Sequence, residues 1–308
     1  PDGRGAAREP GMEVPGGVSV LEHQAACPFR AFAIHRLGAR ALPEPQPGLD
    51  PRERGTLVHR ALAMLWAELQ SQARLLALEP VERDAAVAQA VDIALESLRG
   101  ERPDALTPAF ADLERARLRE LLTQLLEHEA VRAPFRVVER ETPRDIDFAG
   151  LRLRARVDRV DALEDGRRVV IDYKTGAANV SHWLGERPDA PQVPLYALTD
   201  RGEVAAVAFA TLRAGDVGFA GLATHSALLP GVVTVQPDKA GTTDFPALLR
   251  EWRRQLEALA EEFLAGEAEV APKRYPKTCE YCDVRPLCRV GELFDRGPVS
   301  EEENGDER

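Results

Sequence analysis

The sequence predicts an α/β fold in which a mixed sheet is flanked by many helices. Three patterns carry that expectation. "LRLRARVD" (151–158) alternates with strand period, setting Leu151, Leu153, Ala155 and Val157 against Arg152, Arg154, Arg156 and Asp158. "RRVVIDYK" (167–174) is an apolar run closed by polar residues, a second strand joined to the first through the turn residues "EDG". The stretch from Arg52 places Leu57, Ala61, Leu65 and Leu69 on one side at helical spacing.

The remaining elements follow in order. Residues 1–18 are rich in Gly and Pro and read as a flexible linker. Residues 19–39 read as one helix running through Cys27, followed by the Pro-rich loop "LPEPQPGLDP" and the helix from Arg52. Two more helices are predicted over 81–100 and 109–131. Strands then take over: "FRVVERE" (135–141), 151–158 and 167–174. A helix around "APQVPLYALTD", the apolar strand "VAAVAFATLR" and a helix over 245–265 lead to a cysteine-rich end. The acidic tail 297–308 reads as disordered, and one domain is expected over 19–296, with no internal repeat.

Composition narrows the possibilities. A chain of 308 residues, 44% hydrophobic and 30% charged, can bury a substantial core. A net charge of −11 argues against an overall basic coat but not against a local basic stripe for nucleic acid. No apolar run is long enough to span a bilayer, and the opening residues lack a signal-peptide core, so a cytoplasmic location is expected. The chain starts with Pro and not Met, which suggests a fragment of a longer polypeptide. It has no G-x-x-x-x-G-K-[ST] and so no ATP motor of its own.

Lysine usage points to a site. Of 40 basic residues only Lys174, Lys239, Lys273 and Lys277 are lysines, and one of them stands two residues after Asp172. On a strand, Asp172 and Lys174 project from one face, while Tyr173 points away and leaves its backbone carbonyl near them. The hairpin "RVDALEDGRR" can bring Asp158 beside Asp172. Two carboxylates and a carbonyl suit a hard cation such as Mg²⁺. A lysine supplies a compact charge that arginine's planar fork does not. The competing reading is an ordinary surface ion pair, and Arg152, Arg154 and Arg156 are either a phosphate grip or merely solvated. The cysteines form C-x2-C-x5-C (Cys279, Cys282, Cys288) with Cys27 far away. In a cytosolic chain that pattern reads as metal binding before disulfides, and spacing alone leaves zinc and an iron–sulfur cluster both open.

Taken together, Asp158 with "DYKTG", "GTLVHRAL", "QVPLYAL" and the split cysteine set "CPFRAFAIHRLGAR"/"CEYCDVRPLCR" resemble the PD-(D/E)xK nuclease superfamily in its RecB/AddB-like branch. The resemblance covers about residues 19–292. It implies a restriction-endonuclease-like fold and a Mg²⁺- or Mn²⁺-dependent, exonuclease-type DNA nuclease of repair or recombination. Asp158, Asp172, His59 and the Tyr173 carbonyl would hold the metal. Lys174 would position the attacking water, and Gln192 would orient Lys174 or the phosphate. Tyr196, one turn on, would face the same groove, and either Glu139 or Glu141 would add a carboxylate. Cys27, Cys279, Cys282 and Cys288 would bind a [4Fe–4S] cluster joining the two ends of the ordered chain. The implied partners are DNA, preferably with single-stranded character, and a helicase upstream of residue 1 or in trans. A catalytically inactive DNA-binding module of the same fold is the alternative, though the intact Asp158/Asp172/Lys174 set speaks against it. An electron-transfer role for the cysteine site finds no redox partner site in the sequence.

Overall fold

Two layers of helices enclose one mixed sheet in the computed structural model, which describes residues 3–42 and 48–294. The helices are α1 (Ser19–Ala26), α2 (Pro28–His35), α3 (Pro51–Leu69), α4 (Gln72–Ala77), α5 (Pro80–Glu101), α6 (Pro108–Ala130), α7 (Gln192–Leu198), α8 (Pro237–Ala240), α9 (Phe245–Ala265), α10 (Arg285–Cys288) and α11 (Val290–Phe294). The strands are β1 (Glu13–Val14), β2 (Phe135–Phe148), β3 (Leu151–Leu163), β4 (Arg168–Lys174), β5 (Val204–Arg213), β6 (Asp216–Ala223) and β7 (Val232–Thr234). Side-chain caps start both α3 and α9. The Asp50 carboxylate accepts from Glu53 N at 2.8 Å and Glu53 returns the bond at 2.9 Å, a reciprocal box that fixes the first turn of α3. Asp244 caps α9, and Gly266, at φ 84°, ends it in the left-handed conformation glycine adopts without strain.

Strand β3 is the spine of the sheet. It pairs antiparallel with β2 along one edge, and on its other edge with β4 (antiparallel) and β1 (parallel). Beyond β4 the order continues β5, β6, β7, with β4–β5 parallel through the crossover that carries α7. The helices α3, α5 and α6 cover one face around Trp66 and the α3 leucines. On the other face α1, α7 and α9 pack around Trp183, Trp252 and Phe209. Because both faces are covered, β5 is buried from Val204 to Leu212, as its unbroken apolar run requires. No helix among the described residues is long and apolar enough to cross a membrane.

The structure revises several expectations. The helix expected over 19–39 breaks at Cys27, whose backbone is extended (φ −168°, ψ 123°). Pro28 forces the break: its ring disfavours helical geometry in the residue before it, while suiting the first position of α2. Strand β2 runs past residue 141 to Phe148, and β6, which carries few strong strand formers, and β7, only three residues long, are additions to the expected set. The opening stretch expected as a linker contributes β1 and lies against the body of the chain, with Gly5 N donating to Gly266 O at 2.7 Å and Arg8 N to Leu264 O at 2.8 Å. The tail 297–308 lies outside the described residues.

Candidate active site

Four elements converge where β4 ends. The register sets Arg159 against Ile171, and this brings Asp158 alongside Asp172 and Tyr173. The Asp158 carboxylate accepts from Tyr173 N at 2.8 Å. Lys174 Nζ lies 2.7 Å from Asp172 Oδ2, with the carboxylate buried (1% exposed) and the ammonium at the mouth (35%). From α3, His59 reaches down with Nε2 3.2 Å from the Tyr173 carbonyl oxygen and Nδ1 3.6 Å from Asp158 Oδ1. The residues singled out in the D-x-K strand, with Asp158 and His59, are therefore neighbours.

Geometry separates the two candidate glutamates. Glu141 Oε1 lies 3.0 Å from His59 Nδ1, whereas Glu139 accepts two bonds from Arg144 at 2.9 and 2.8 Å. The two glutamates share strand parity, so alternation cannot distinguish them. A register shift between Val137 and Glu139, together with a positive φ of 43° at Glu141, distorts the strand there. A non-glycine residue in that region is strained, and such strain persists where the surroundings impose it. No pattern in the sequence announces it.

Donor atoms of His59, Glu141 and Asp158 all lie within 4.8 Å of one another, a mixed imidazole–carboxylate set with the chemistry to hold a divalent metal ion. Two further observations favour a cation. The Asp172 carboxylate oxygens are buried and accept no bond of hydrogen-bond geometry, although the Lys174 ammonium is in ion-pair contact. The acids also raise their neighbours' proton affinity. Burial, then the Asp172 charge, push Asp158 up to about 7 against the pull of His59. Burial would lower His59, but its bond to Glu141 and the Asp158 charge outweigh that and hold it at about 9. Burial would likewise lower Lys174, and the Asp172 charge beside it raises it instead.

Gln192 and Tyr196 sit one turn apart on α7. Tyr196 is buried, donating to the Arg156 carbonyl at 2.8 Å, and Gln192 Nε2 donates to the tyrosine oxygen at 3.4 Å. The pair therefore braces β3, and the bond of Gln192 is to Tyr196 and not to Lys174. Of the arginine stripe, Arg152 is paired with Asp147 at 3.1 Å and Arg154 with Glu13 at 3.3 Å. Only Arg156 leans to the site, 3.7 Å from Glu141.

The four cysteines line one small cavity with Val270, Pro272 and Val284. All are free thiols, Cys27 and Cys279 buried and the other two partly so. Burial raises the Cys279 thiol, and the neighbouring Cys282, Cys27 and Cys288 add to it. Backbone bonds bring the distant segments together: Phe29 N to Glu269 O at 3.0 Å and Lys273 N to Ala26 O at 2.9 Å.

Residues 17–289 match the PD-(D/E)XK nuclease superfamily. One subunit of the ATP-dependent helicase/deoxyribonuclease of Symbiobacterium thermophilum is 29% identical over 88% of this chain, and its counterpart in Moorella thermoacetica is 26% identical over 88%. The chain spans 29% of the length of each of these relatives. Among solved structures, that of SSO0001 aligns with a TM-score of 0.31 at 13% identity, over 88% of this chain and 95% of that one.

Proposed function

We propose a phosphodiester-cleaving role from one premise: the chain belongs to the PD-(D/E)XK nuclease superfamily. In this reading residues 19–296 are the nuclease unit of a DNA-processing protein that works beside a helicase, in cis or in trans, and the substrate is DNA with single-stranded character. The observation that carries it is the convergence of His59, Glu141 and Asp158 on one point beside the Asp172–Lys174 pair. The inactive-module alternative predicts loss of at least one of these groups, and all are present.

His59, Glu141, Asp158, Asp172 and the Tyr173 carbonyl would hold a divalent cation, which when bound polarises the phosphate and acidifies a water. Lys174 does the rest of the electrostatic work. Its ammonium, held by Asp172 at the mouth, is placed to orient the water and to meet the negative charge that develops on the phosphate. Gln192 and Tyr196 keep β3, and with it Asp158, in place. The test is digestion of end-labelled single- and double-stranded DNA with and without Mg²⁺. Cleavage that requires the metal and favours single-stranded ends supports the reading. Undiminished cutting in EDTA, or no cutting with any divalent metal, sinks it.

The four thiols fit a [4Fe–4S] cluster, in line with the free, clustered state of Cys27, Cys279, Cys282 and Cys288. Such a cluster would tie the first helices to the end of the domain and offers nothing to a phosphodiester.

The raised proton affinities make the ion-free protein pH-sensitive. His59 goes from an ordinary 6.5 to about 9 on folding, so its contribution is full below about 6.5 and is lost as pH rises through 9. Asp158 is raised from 3.8 to about 7, so folding likewise favours its protonated form and loses by ionisation through pH 7. Both have the same sign. Thermal melts in EDTA should show a lower Tm at pH 9 than at pH 6, with a smaller drop in His59→Gln. Saturating Mn²⁺ should shrink the difference, since the cation binds the deprotonated site. A flat or rising profile in EDTA would contradict these affinities.

A further inference from the structure

A groove of ≈ 320 Å³ opens directly from the His59–Glu141 edge of the site. Its walls come from α3, β2 and β3. Arg52, Thr56 and Arg60 stand on the face of α3 that also carries His59, at spacings that stack them along one side of the helix. Arg156 projects from β3 on the opposite wall.

The three arginines differ in their engagement. Arg60 is held by Ser97 at 3.1 Å and Glu101 at 3.0 Å. Among the described residues the Arg156 guanidinium meets the Glu141 carboxylate alone, at 3.7 Å, and is 64% exposed. Among the described residues no carboxylate lies within 4.0 Å of the exposed Arg52 guanidinium, although acids elsewhere on the surface pair closely with Arg152 and Arg154. Two weakly engaged guanidinium groups therefore stand on facing walls of one groove beside the cation site.

We propose that Arg52 and Arg156 form a phosphate subsite that grips the backbone of one polynucleotide strand next to the bond being cut. Guanidinium groups bind phosphate oxygens in pairs, and the contact carries no base information, so the subsite is indifferent to sequence. The groove leads away from the donor set on one side, and the subsite therefore holds the strand on that side of the scissile phosphate. Arg152 and Arg154, neutralised by their acids, lie outside it, and the grip expected of the whole stripe narrows to one of its members joined by a residue from α3. This deepens the nuclease reading and rests on it.

The experiment is the salt dependence of binding, in EDTA so that nothing is cut. Oligothymidylate, with and without a terminal phosphate, is titrated with wild type, Arg52→Gln, Arg156→Gln, the double variant and Arg152→Gln. Each lost phosphate contact to a single strand should flatten the slope of log K against log salt by about 0.7. Flattening is expected in Arg52→Gln and Arg156→Gln, by about twice as much in the double variant, and not in Arg152→Gln, with or without the terminal phosphate. Unchanged slopes in both single variants, with unchanged melting temperatures, overturn the subsite. An effect seen only with the terminal phosphate overturns its assignment to the strand backbone. Wild type that binds no DNA at all removes the nuclease reading along with it.

Discussion

Replacing Lys174 by arginine is expected to abolish cleavage although the charge is kept. The ammonium sits 2.7 Å from a carboxylate that is only 1% exposed, in a space closed on one side by the Phe209 ring 5.7 Å away. A guanidinium is wider, is planar, and prefers to bond the carboxylate in a fork, which would draw it down onto Asp172 and away from the mouth. Lys174→Ala removes the charge altogether. By analogy with loss of a single transition-state donor, either change should cost about 10²–10³-fold in rate. Asp172→Asn should be as severe, because it removes both the partner that orients Lys174 and a carboxylate of the cation site. Glu139→Gln, by contrast, should cut nearly as wild type, since Glu139 is engaged with Arg144. The assay is metal-dependent release from end-labelled DNA, with binding in EDTA as the control for folding. Near wild-type cutting by purified Lys174→Ala would refute the nuclease assignment.

Asp172, Lys174 and the Tyr173 carbonyl are legible together in the sequence because one rule, the two-residue period of a strand, places them, and the hairpin turn brings Asp158 alongside. The helix carrying His59 is equally open, since its apolar stripe marks which side faces the sheet. The choice of Glu141 is not legible. It depends on a register shift at Val137/Glu139 and on a strained φ at Glu141, and neither leaves a mark in residue types. The break at Cys27 does leave one: the Cys–Pro pair states it locally, against the continuous helix that the apolar spacing alone suggests. The part played by Arg52 is hidden for another reason. Charges on a surface helix look alike in sequence, and only the contacts of the fold distinguish an arginine already paired, like Arg60, from one left facing the site.

Cys27→Ser is expected to bleach a brown protein and to lower its Tm by on the order of 10 °C while leaving it folded. A cluster joining Cys27 to Cys279 closes almost the whole chain into one loop, and borrowing the entropy estimate for disulfides gives about 5 kcal/mol for that closure. That figure is an upper bound, because the two ends are also held without the cysteines. Phe29 N bonds Glu269 O, Lys273 N bonds Ala26 O, and Gln24 Nε2 bonds Glu262 at 3.1 Å. Those contacts are the reason the variant should fold, and the size of the drop follows from converting a loss of that order at this chain length. Activity should fall as well, by an indirect route. The segment that reaches the cysteines carries Lys273 and Arg274, which hold Asp189 at 3.0 and 2.7 Å, and Asp189 lies in the loop leading into α7 with Gln192 and Tyr196. Loosening that segment slackens the brace on β3 without removing any group from the cation site. Asp189→Asn should therefore reproduce part of the activity loss with the cluster intact, and iron and sulfide analysis separates the two variants. Stoichiometric zinc in anaerobically prepared wild type, or an unchanged Tm in Cys27→Ser, would refute the iron–sulfur staple.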